Sequence, residues 1–150
     1  MPTDAIEAKP YRRGDAGLIP VAEADPFGFW LTHIEANAKG MTSYYIDGLL
    51  VAVTYYIPIW DGVADACALV NRDLAAGHGR GLAKAIRTRI DELIASDNLH
   101  RIQCTSEPHD PASRVFLRAI GYRYESTMRQ GAPDRSDLLV YVLLRGDPHE

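Results

Sequence analysis

Two different periods of apolar residues divide this chain into predicted strands and helices. In the middle, residues 41–46, 49–57 and 63–70 are rich in β-branched and aromatic side chains, and Asp47-Gly48 between the first two is typical of a two-residue hairpin turn. From residue 82 to residue 94 apolar side chains recur every three or four positions, which predicts an amphipathic helix. The pattern therefore predicts an antiparallel meander followed by a long helix.

The rest of the chain follows the same rules. Because that helix separates the strand over 63–70 from another over 100–105, we expect these two strands to pair in parallel. We also predict a strand over 3–9, a helix from Ala16 that Asp15 caps, and a helix over 27–38 that stops at Gly40. A further helix begins at Pro111, is capped by Asp110, stops at Gly121 and buries Val115, Phe116 and Ile120. Two closing strands cover residues 122–129 and 137–144. The order β-α-α-β-β-β-α-β-α-β-β indicates a single α/β domain over residues 1–150, a mixed sheet with helices on both faces.

Composition and charge narrow the class of protein. A chain of 150 residues with 47% hydrophobic content is long enough to bury one core. A net charge of -4 without a dense basic block argues against nucleic acid as the main partner. No apolar run reaches the roughly 18 residues that a membrane span needs. With no signal peptide pattern and no metal-ligand spacing at Cys67 and Cys104, we expect a cytoplasmic protein with two reduced, buried thiols and no metal.

The most informative segment is His78-Gly79-Arg80-Gly81-Leu82-Ala83, where the amphipathic helix begins. Two glycines one residue apart leave backbone N–H groups unobstructed, and the positive end of the helix dipole points at the same place. Such a place favours a phosphate group. A tight turn that requires positive φ is the alternative explanation for the two glycines. The segment therefore predicts either a phosphate-binding site or a structural turn.

Three segments together resemble the GNAT superfamily of acyl-CoA-dependent N-acyltransferases. HGRGLAKAI is similar to the Arg/Gln-x-x-Gly-x-Gly/Ala loop with which that family wraps the pyrophosphate of coenzyme A. The segment from Asp110 to Tyr122 resembles the Asn-x-x-Ala…Tyr-x-x-x-Gly-Phe helix of the family, and Lys-Pro-Tyr-Arg-Arg-Gly-Asp15 resembles its Arg-Pro-x-x-x-x-Asp opening. The resemblance covers most of the chain. It implies acetyl-CoA as the acyl donor and a small-molecule or peptide amine as the acceptor.

The resemblance also implies which residues would hold coenzyme A. The backbone over 79–83 would wrap the diphosphate. In the family the sheet splays near the strand that corresponds to 67–70, so this strand would present unpaired backbone groups to the pantetheine. The helix after Asp110 would border the thioester. The implied cofactor-binding residues are Cys67, Leu69, Val70, His78, Gly79, Arg80, Gly81, Leu82, Ala83, Asp110, Ser113 and Leu117.

Acyl transfer to an amine requires a base, because an alkyl ammonium with a pKa near 10.4 must lose a proton before it can attack a carbonyl. It also requires a donor for the developing oxyanion. Asp65, on the strand before the glycine segment, is the first candidate for the base, and Glu107 and His109 are the alternatives. An ordinary exposed side chain without a catalytic role is the competing interpretation for each of the three.

The chain departs from the family pattern at three positions. His78 replaces the usual Arg or Gln, Asp110 replaces Asn, and Leu117 replaces a tyrosine that protonates the departing thiolate in many members. Tyr122 or Tyr124 is a candidate for the missing hydroxyl. The Phe-Leu-x-x-Ile-Gly ending and the long gap before the glycine segment also resemble GNAT-like proteins of tailed phages, so a non-catalytic binding or virion-assembly protein is the alternative. The tyrosine-rich strands are compatible with a homodimer.

Overall fold

The computed structural model describes residues 6–20 and 29–148, and it forms one seven-stranded mixed sheet with helices on both faces. The strands are β1 (Ile6–Pro10), β2 (Lys39–Ile46), β3 (Leu49–Trp60), β4 (Val63–Val70), β5 (Arg101–Ser106), β6 (Arg123–Met128) and β7 (Leu138–Leu144). The α-helices are α1 (Phe29–Asn37), α2 (Arg72–Ala75), α3 (Gly79–Ser96) and α4 (Pro111–Ile120), preceded by a short 3-10 helix over Asp15–Leu18. Residues 3–5 of the first predicted strand and residues 27–28 of the predicted helix lie outside this range.

The strands follow the order β1-β2-β3-β4-β5-β7-β6 across the sheet. Every neighbouring pair is antiparallel except β4 and β5, which pair in parallel because α3 returns the chain to the same end of the sheet. Asp47 and Gly48 have φ values of 51° and 78°, as a two-residue turn with two left-handed positions requires. The predicted hairpin and the predicted parallel pair are both confirmed.

Two apolar clusters hold the helices on the sheet. The larger one packs α3 and α4 against one face, where Leu82, Ile86 and Ile120 are buried. The smaller one packs the 3-10 helix and α1 against the opposite face of β3 and β4 and centres on Ile34 and Val53. The sheet is therefore covered on both faces, and β4 and β5 lie in its middle. No helix in the described range is long and apolar enough to cross a membrane.

The prediction that Asp15 caps a helix is wrong. Gly14 takes the capping position of the 3-10 helix, and no side chain caps it. The Asp15 carboxylate, only 7% exposed, instead accepts hydrogen bonds from the hydroxyl of Ser43 at 2.7 Å and from the amide of Arg12 at 3.0 Å. A buried carboxylate must be paired, and β2 supplies the nearest donor. Asp15 therefore ties the N-terminal segment to the sheet.

Two predicted helix features are also wrong. The helix α1 ends at Asn37, and Gly40 lies in β2 with φ +62°, where a Cβ atom would stand 2.8 Å from the Leu93 side chain. The close approach of α3, rather than a helix end, requires that glycine. On α4 the predicted core residue Val115 is 68% exposed, because the buried face passes through Leu117 and Ile120.

The short helix α2 is absent from the sequence prediction. It occupies the long gap between β4 and the glycine segment, and the Asn71 side chain caps it by accepting a hydrogen bond from the Leu74 amide at 3.2 Å. Four residues are too few for a detectable apolar period. The Asp110 cap, Pro111 at the start of α4 and Gly121 at its end are confirmed.

Candidate functional site

The neighbouring strands β4 and β5 separate halfway along their length. Their parallel pairing is confined to Val63–Asp65 with Arg101–Gln103. Beyond it, Ala66–Val70 pairs with β3 alone and Cys104–Ser106 pairs with β7 alone. We call the space between these two unpaired segments the gap. Because main-chain donors and acceptors need partners, the facing edges of the gap are suited to a ligand that lies between them.

The two glycines of the glycine segment lie inside the first turn of α3 rather than in the loop before it. Neither has a positive φ; in this stretch Gly77 does, with φ +81°. A Cβ atom at Gly79 would meet nothing within 4 Å among the described residues, and one at Gly81 would make ordinary contact with Ile6 at 3.7 Å. Neither backbone conformation nor crowding explains the two glycines, so the structural-turn alternative is wrong for both.

The first turn of α3 contains backbone N–H groups that donate to no described residue. Its first intrahelical hydrogen bond runs from the Leu82 amide to the His78 carbonyl at 2.9 Å, and the His78 side chain makes no capping hydrogen bond. The N–H groups of Gly79, Arg80 and Gly81 have no acceptor within the described range. These amides and the positive end of the helix dipole therefore form a place for an anion.

A buried hydroxyl without a partner lies at the end of β5. Ser106 is 5% exposed, and its Oγ has no hydrogen-bond partner in the described part of the chain. By the alternation of the strand, Ser106 faces the same side as Ile102 and Cys104, toward α3 and α4. Buried polar groups are nearly always hydrogen-bonded. The Ser106 hydroxyl at the open end of the gap therefore fits a ligand with a polar group there.

The start of α4, on the other side of the gap, is occupied by the protein's own groups. The Asp110 side chain accepts a hydrogen bond from the Ser113 amide at 3.3 Å, and its two oxygens pair with the Arg72 guanidinium at 2.6 Å and 3.2 Å. The hydrogen bond from Arg72 holds the pKa of Asp110 below its usual value. These contacts give Asp110 a structural role, and its predicted contact with a cofactor stays a prediction.

Asp65 is the last residue of β4 that pairs with β5, so it stands where the gap begins. Partial burial raises the pKa of its carboxyl group. Burial also raises the pKa values of Cys67 and Cys104, and the nearby Asp65 carboxylate adds to both shifts. A carboxyl group with a raised pKa beside a ligand-sized gap has the properties of a general base.

The other predicted catalytic residues lie elsewhere. Glu107 and His109 are exposed, and the His109 Nε2 atom lies 2.8 Å from a carboxylate oxygen of Glu107. Tyr124 is 53% exposed on the edge strand β6, and its hydroxyl pairs with Thr127 at 2.7 Å. All four candidate side chains, Asp65 included, are exposed, and what distinguishes Asp65 is its position where the gap begins.

An apolar cavity of about 50 Å³ lies under the gap, between β4, β5, α3 and α4. The predicted cofactor residues Cys67 and Leu117 are part of its wall, and so is the buried Tyr122. Its wall residues are Thr54, Tyr55, Tyr56, Ala66, Cys67, Ala68, Ile86, Arg89, Ile90, Leu93, Ile102, Cys104, Leu117, Ile120 and Tyr122. The sequence interpretation missed this cavity and Ser106, although the alternating alanines Ala64, Ala66 and Ala68 are a signal for unfilled space. Cys67 is partly exposed as a residue, Cys104 is buried, and both cysteines are free.

Comparisons with known proteins identify the fold. No family model and no curated protein match the chain. Mycobacterium smegmatis RimJ, solved in complex with CoA-disulfide, is 18% identical, with 96% of this chain and 84% of that chain covered and a TM-score of 0.74. A GNAT-family acetyltransferase from Bacillus anthracis is 14% identical, with 93% and 94% covered and a TM-score of 0.70. A chimera of the spermidine N-acetyltransferase SpeG from Vibrio cholerae is 17% identical, with 93% and 95% covered and a TM-score of 0.71.

The chain has the fold of the GNAT acetyltransferases, and the expected α/β architecture is confirmed. At 14–18% identity these neighbours establish the fold alone. The likeness to tailed-phage proteins stays a prediction. Within the described residues, no group of three or more His, Cys, Asp or Glu side chains could hold a metal ion.

Proposed function

We propose that this protein is an N-acyltransferase that moves an acyl group, acetyl in the simplest case, from an acyl-CoA thioester to a primary amine. The observation that carries the proposal is the first turn of α3, where three backbone amides have no acceptor among the described residues. Gly79 and Gly81 lie in this turn, and neither a positive φ nor crowding requires glycine at these positions. This turn begins α3, and the short helix α2 lies between it and the open end of β4. A phosphate-bearing ligand with a long polar arm fits both features.

The residues present fit coenzyme A. The amides of residues 79–81 would hold the diphosphate, the unpaired edge of β4 over Ala66–Val70 would hydrogen-bond the amide groups of the pantetheine, and the Ser106 hydroxyl would find a partner. Coenzyme A supplies the acyl group as a thioester whose thiol, with a pKa of about 8.5 for an ordinary thiol, is a good leaving group.

In the proposed reaction the amine nitrogen forms a bond to the carbonyl carbon, and the bond between carbon and sulfur breaks. Asp65 takes the proton that the ammonium form of the acceptor must lose, directly or through one water molecule. A free N–H of β4 in the gap stabilises the negative charge that develops on the carbonyl oxygen. Leu117 offers no proton at the position where a tyrosine is usual, so the second proton that the amine nitrogen loses as the amide forms would pass, directly or through water, to the departing thiolate.

The proposed acceptor is a small-molecule or peptide amine. One structural neighbour bears the name of a spermidine acetyltransferase, which is consistent with an amine acceptor for this fold. The exposed surface around Asp65 is open to such a molecule on the face of the sheet that carries Cys67.

Two measurements test the proposal. Coenzyme A at a hundredfold its dissociation constant should stabilise the protein by about 2.7 kcal/mol, visible as a rise in melting temperature. Release of free thiol from acetyl-CoA should then depend on an added amine from a panel of polyamines, amino acids and peptides. Unchanged melting with coenzyme A contradicts the proposal. Binding without turnover on any amine would favour the non-catalytic alternative.

A further inference from the structure

The cavity exists because one face of β4 carries only small side chains. Ala64, Ala66 and Ala68 point toward α3 and α4, and the gap removes the neighbouring strand beside the last two. Protein interiors are otherwise filled to the density of organic crystals, with few voids larger than a water molecule. An unfilled apolar space of about 50 Å³ beside the core is therefore a place where a bound apolar group would gain contacts.

The cavity adjoins the part of the gap where the reacting end of an acyl thioester would lie. Its wall includes Ala66 and Cys67, the first residues of β4 beyond the paired segment, and Leu117 of α4. If a free β4 amide binds the thioester carbonyl, as the proposed function requires, the acyl chain on that carbonyl starts at the cavity. Leu117 adds a methyl-rich surface where a tyrosine hydroxyl would make the wall polar.

We propose that the acyl donor of this protein carries a short, unbranched and uncharged acyl chain of three or four carbons, which fills the cavity. This inference rests on the proposed function and names its donor more narrowly. A volume of about 50 Å³ holds roughly three to five water-sized groups. The single methyl group of acetyl would leave most of that space empty, whereas a propionyl or butyryl chain occupies it.

The charged groups at the wall of the cavity are already paired. The Arg89 guanidinium donates to the Thr42 hydroxyl at 2.9 Å and to the Glu92 carboxylate at 3.0 Å. The Tyr56 hydroxyl donates to the Asp97 carboxylate. An acyl chain that ends in a carboxylate would therefore find no free cation among the described residues of the wall and would lose its hydration without compensation.

The remaining polar groups of the wall are neutral. The Thr54 hydroxyl and the Tyr44 hydroxyl are hydrogen-bonded at 2.8 Å, and the side chains of Tyr55 and Cys67 form a hydrogen bond. Burial raises the pKa of the Cys67 thiol and of the Tyr122 phenol, so both keep their protons at neutral pH. The cavity thus selects for chain length and against charge.

The test measures the affinity of the purified protein for coenzyme A and for acetyl-, propionyl-, butyryl-, hexanoyl- and succinyl-CoA by calorimetry. No acceptor is needed. We expect affinity to rise about fourfold for each methylene from acetyl to butyryl, because each buried methylene adds a comparable transfer free energy. Hexanoyl-CoA should bind no tighter than butyryl-CoA once the cavity is full, and succinyl-CoA should bind more weakly than butyryl-CoA.

A matched pair of variants separates the cavity from general effects. Ala66→Val reduces the cavity and should flatten the series when each affinity is divided by the affinity of the same variant for coenzyme A. Ala119→Val, an exposed alanine of α4 outside the cavity, should leave the series unchanged. If Ala66→Val does not fold, the wild-type series still decides the matter.

The two proposals fail in different ways. Affinity that is flat or falls from acetyl- to butyryl-CoA, with coenzyme A still bound, overturns the donor assignment and leaves the proposed function standing. Absence of binding by every compound of the series overturns both.

Discussion

The two helices that border the gap begin in opposite ways. The helix α4 starts with Pro111, which has no N–H to satisfy, and Asp110 caps the Ser113 amide. The helix α3 starts with Gly79 and Gly81 and has no side-chain cap. One helix start has a side-chain cap and a proline, and the other has neither. Since capping residues stabilise a helix by about 1 kcal/mol and glycines destabilise it by a similar amount, α3 gives up stability at its first turn for another purpose.

The same contrast holds for the acidic residues on the two sides. Glu107 pairs with His109 at the surface, and Asp110 pairs with Arg72, so both carboxylates on the α4 side have cationic or imidazole partners. Asp65 on the β4 side has a raised pKa because burial, rather than a cation, dominates its surroundings. Groups that the protein pairs internally serve structure, whereas groups left unsatisfied beside a gap mark the candidate site.

The largest expected difference is between the turnover rates of a variant at Asp65, on the β4 side of the gap, and a variant at Glu107, on the α4 side. Asp65→Asn should slow amine-dependent thiol release by about 10²–10⁴-fold near neutral pH, because the variant cannot accept a proton. Wild-type activity should fall as the pH drops through the raised pKa of Asp65. Glu107→Gln is the control and should change the rate less than twofold. Equal losses in both variants would remove Asp65 from the role of base.

Binding should show the next largest difference. Gly81→Val should weaken coenzyme A by about a hundredfold, because a bulky side chain in the first turn of α3 displaces hydrogen bonds to a charged diphosphate worth roughly 1.5–3 kcal/mol each. Ala112→Val places the same side chain in the first turn of α4 and should leave the affinity unchanged. Calorimetric titration measures both, with circular dichroism as the check on folding. Similar affinities for the two variants would contradict the assignment of the diphosphate site.

Ser106→Ala should weaken the binding of coenzyme A moderately without lowering the stability of the free protein. The dissociation constant for coenzyme A should rise about two- to twelvefold, the value of one ordinary hydrogen bond. The melting temperature of the free protein should stay the same or rise, since the variant removes a buried hydroxyl that has no protein partner in the described residues. Ser96→Ala, an exposed serine at the far end of α3, is the control. A fall in melting temperature for Ser106→Ala would indicate a structural role for this hydroxyl.

The smallest effect concerns the ion pair between Arg72 and Asp110. Because the folded pKa of Asp110 is depressed, its contribution to stability is present above the unfolded value of about 3.9 and is lost as the pH falls through the folded value. Arg72 is largely exposed and Asp110 is partly exposed, so solvent screens the pair and this contribution is below about 1 kcal/mol. Asp110→Asn should therefore reduce the free energy of unfolding slightly at pH 6 and not at pH 2. A large loss at both pH values would point to the helix cap instead.

Much of the fold can be read from local signals. Asp47-Gly48, the period of α3, and the Asp110-Pro111 start of α4 each act within a few residues, so they identify the hairpin and two helices. Boundaries near Asp15 and Gly40 were misplaced because burial against a distant strand or helix decided them. Val115 was misassigned because the helical period admits neighbouring faces, and packing on α3 selects between them.

The candidate site shows the same division more sharply. From the sequence alone came the glycine segment, the parallel pairing of β4 and β5, and Asp65 as one of three possible bases, since motif spacing and topology are properties of the chain itself. Only the tertiary structure decided that Gly79 and Gly81 lie in an uncapped helical turn, that Asp65 rather than Glu107 borders the gap, and that Ser106 and the alanines of β4 enclose unfilled space. These outcomes depend on which atoms from distant segments reach one another, and short-range patterns carry no information about that.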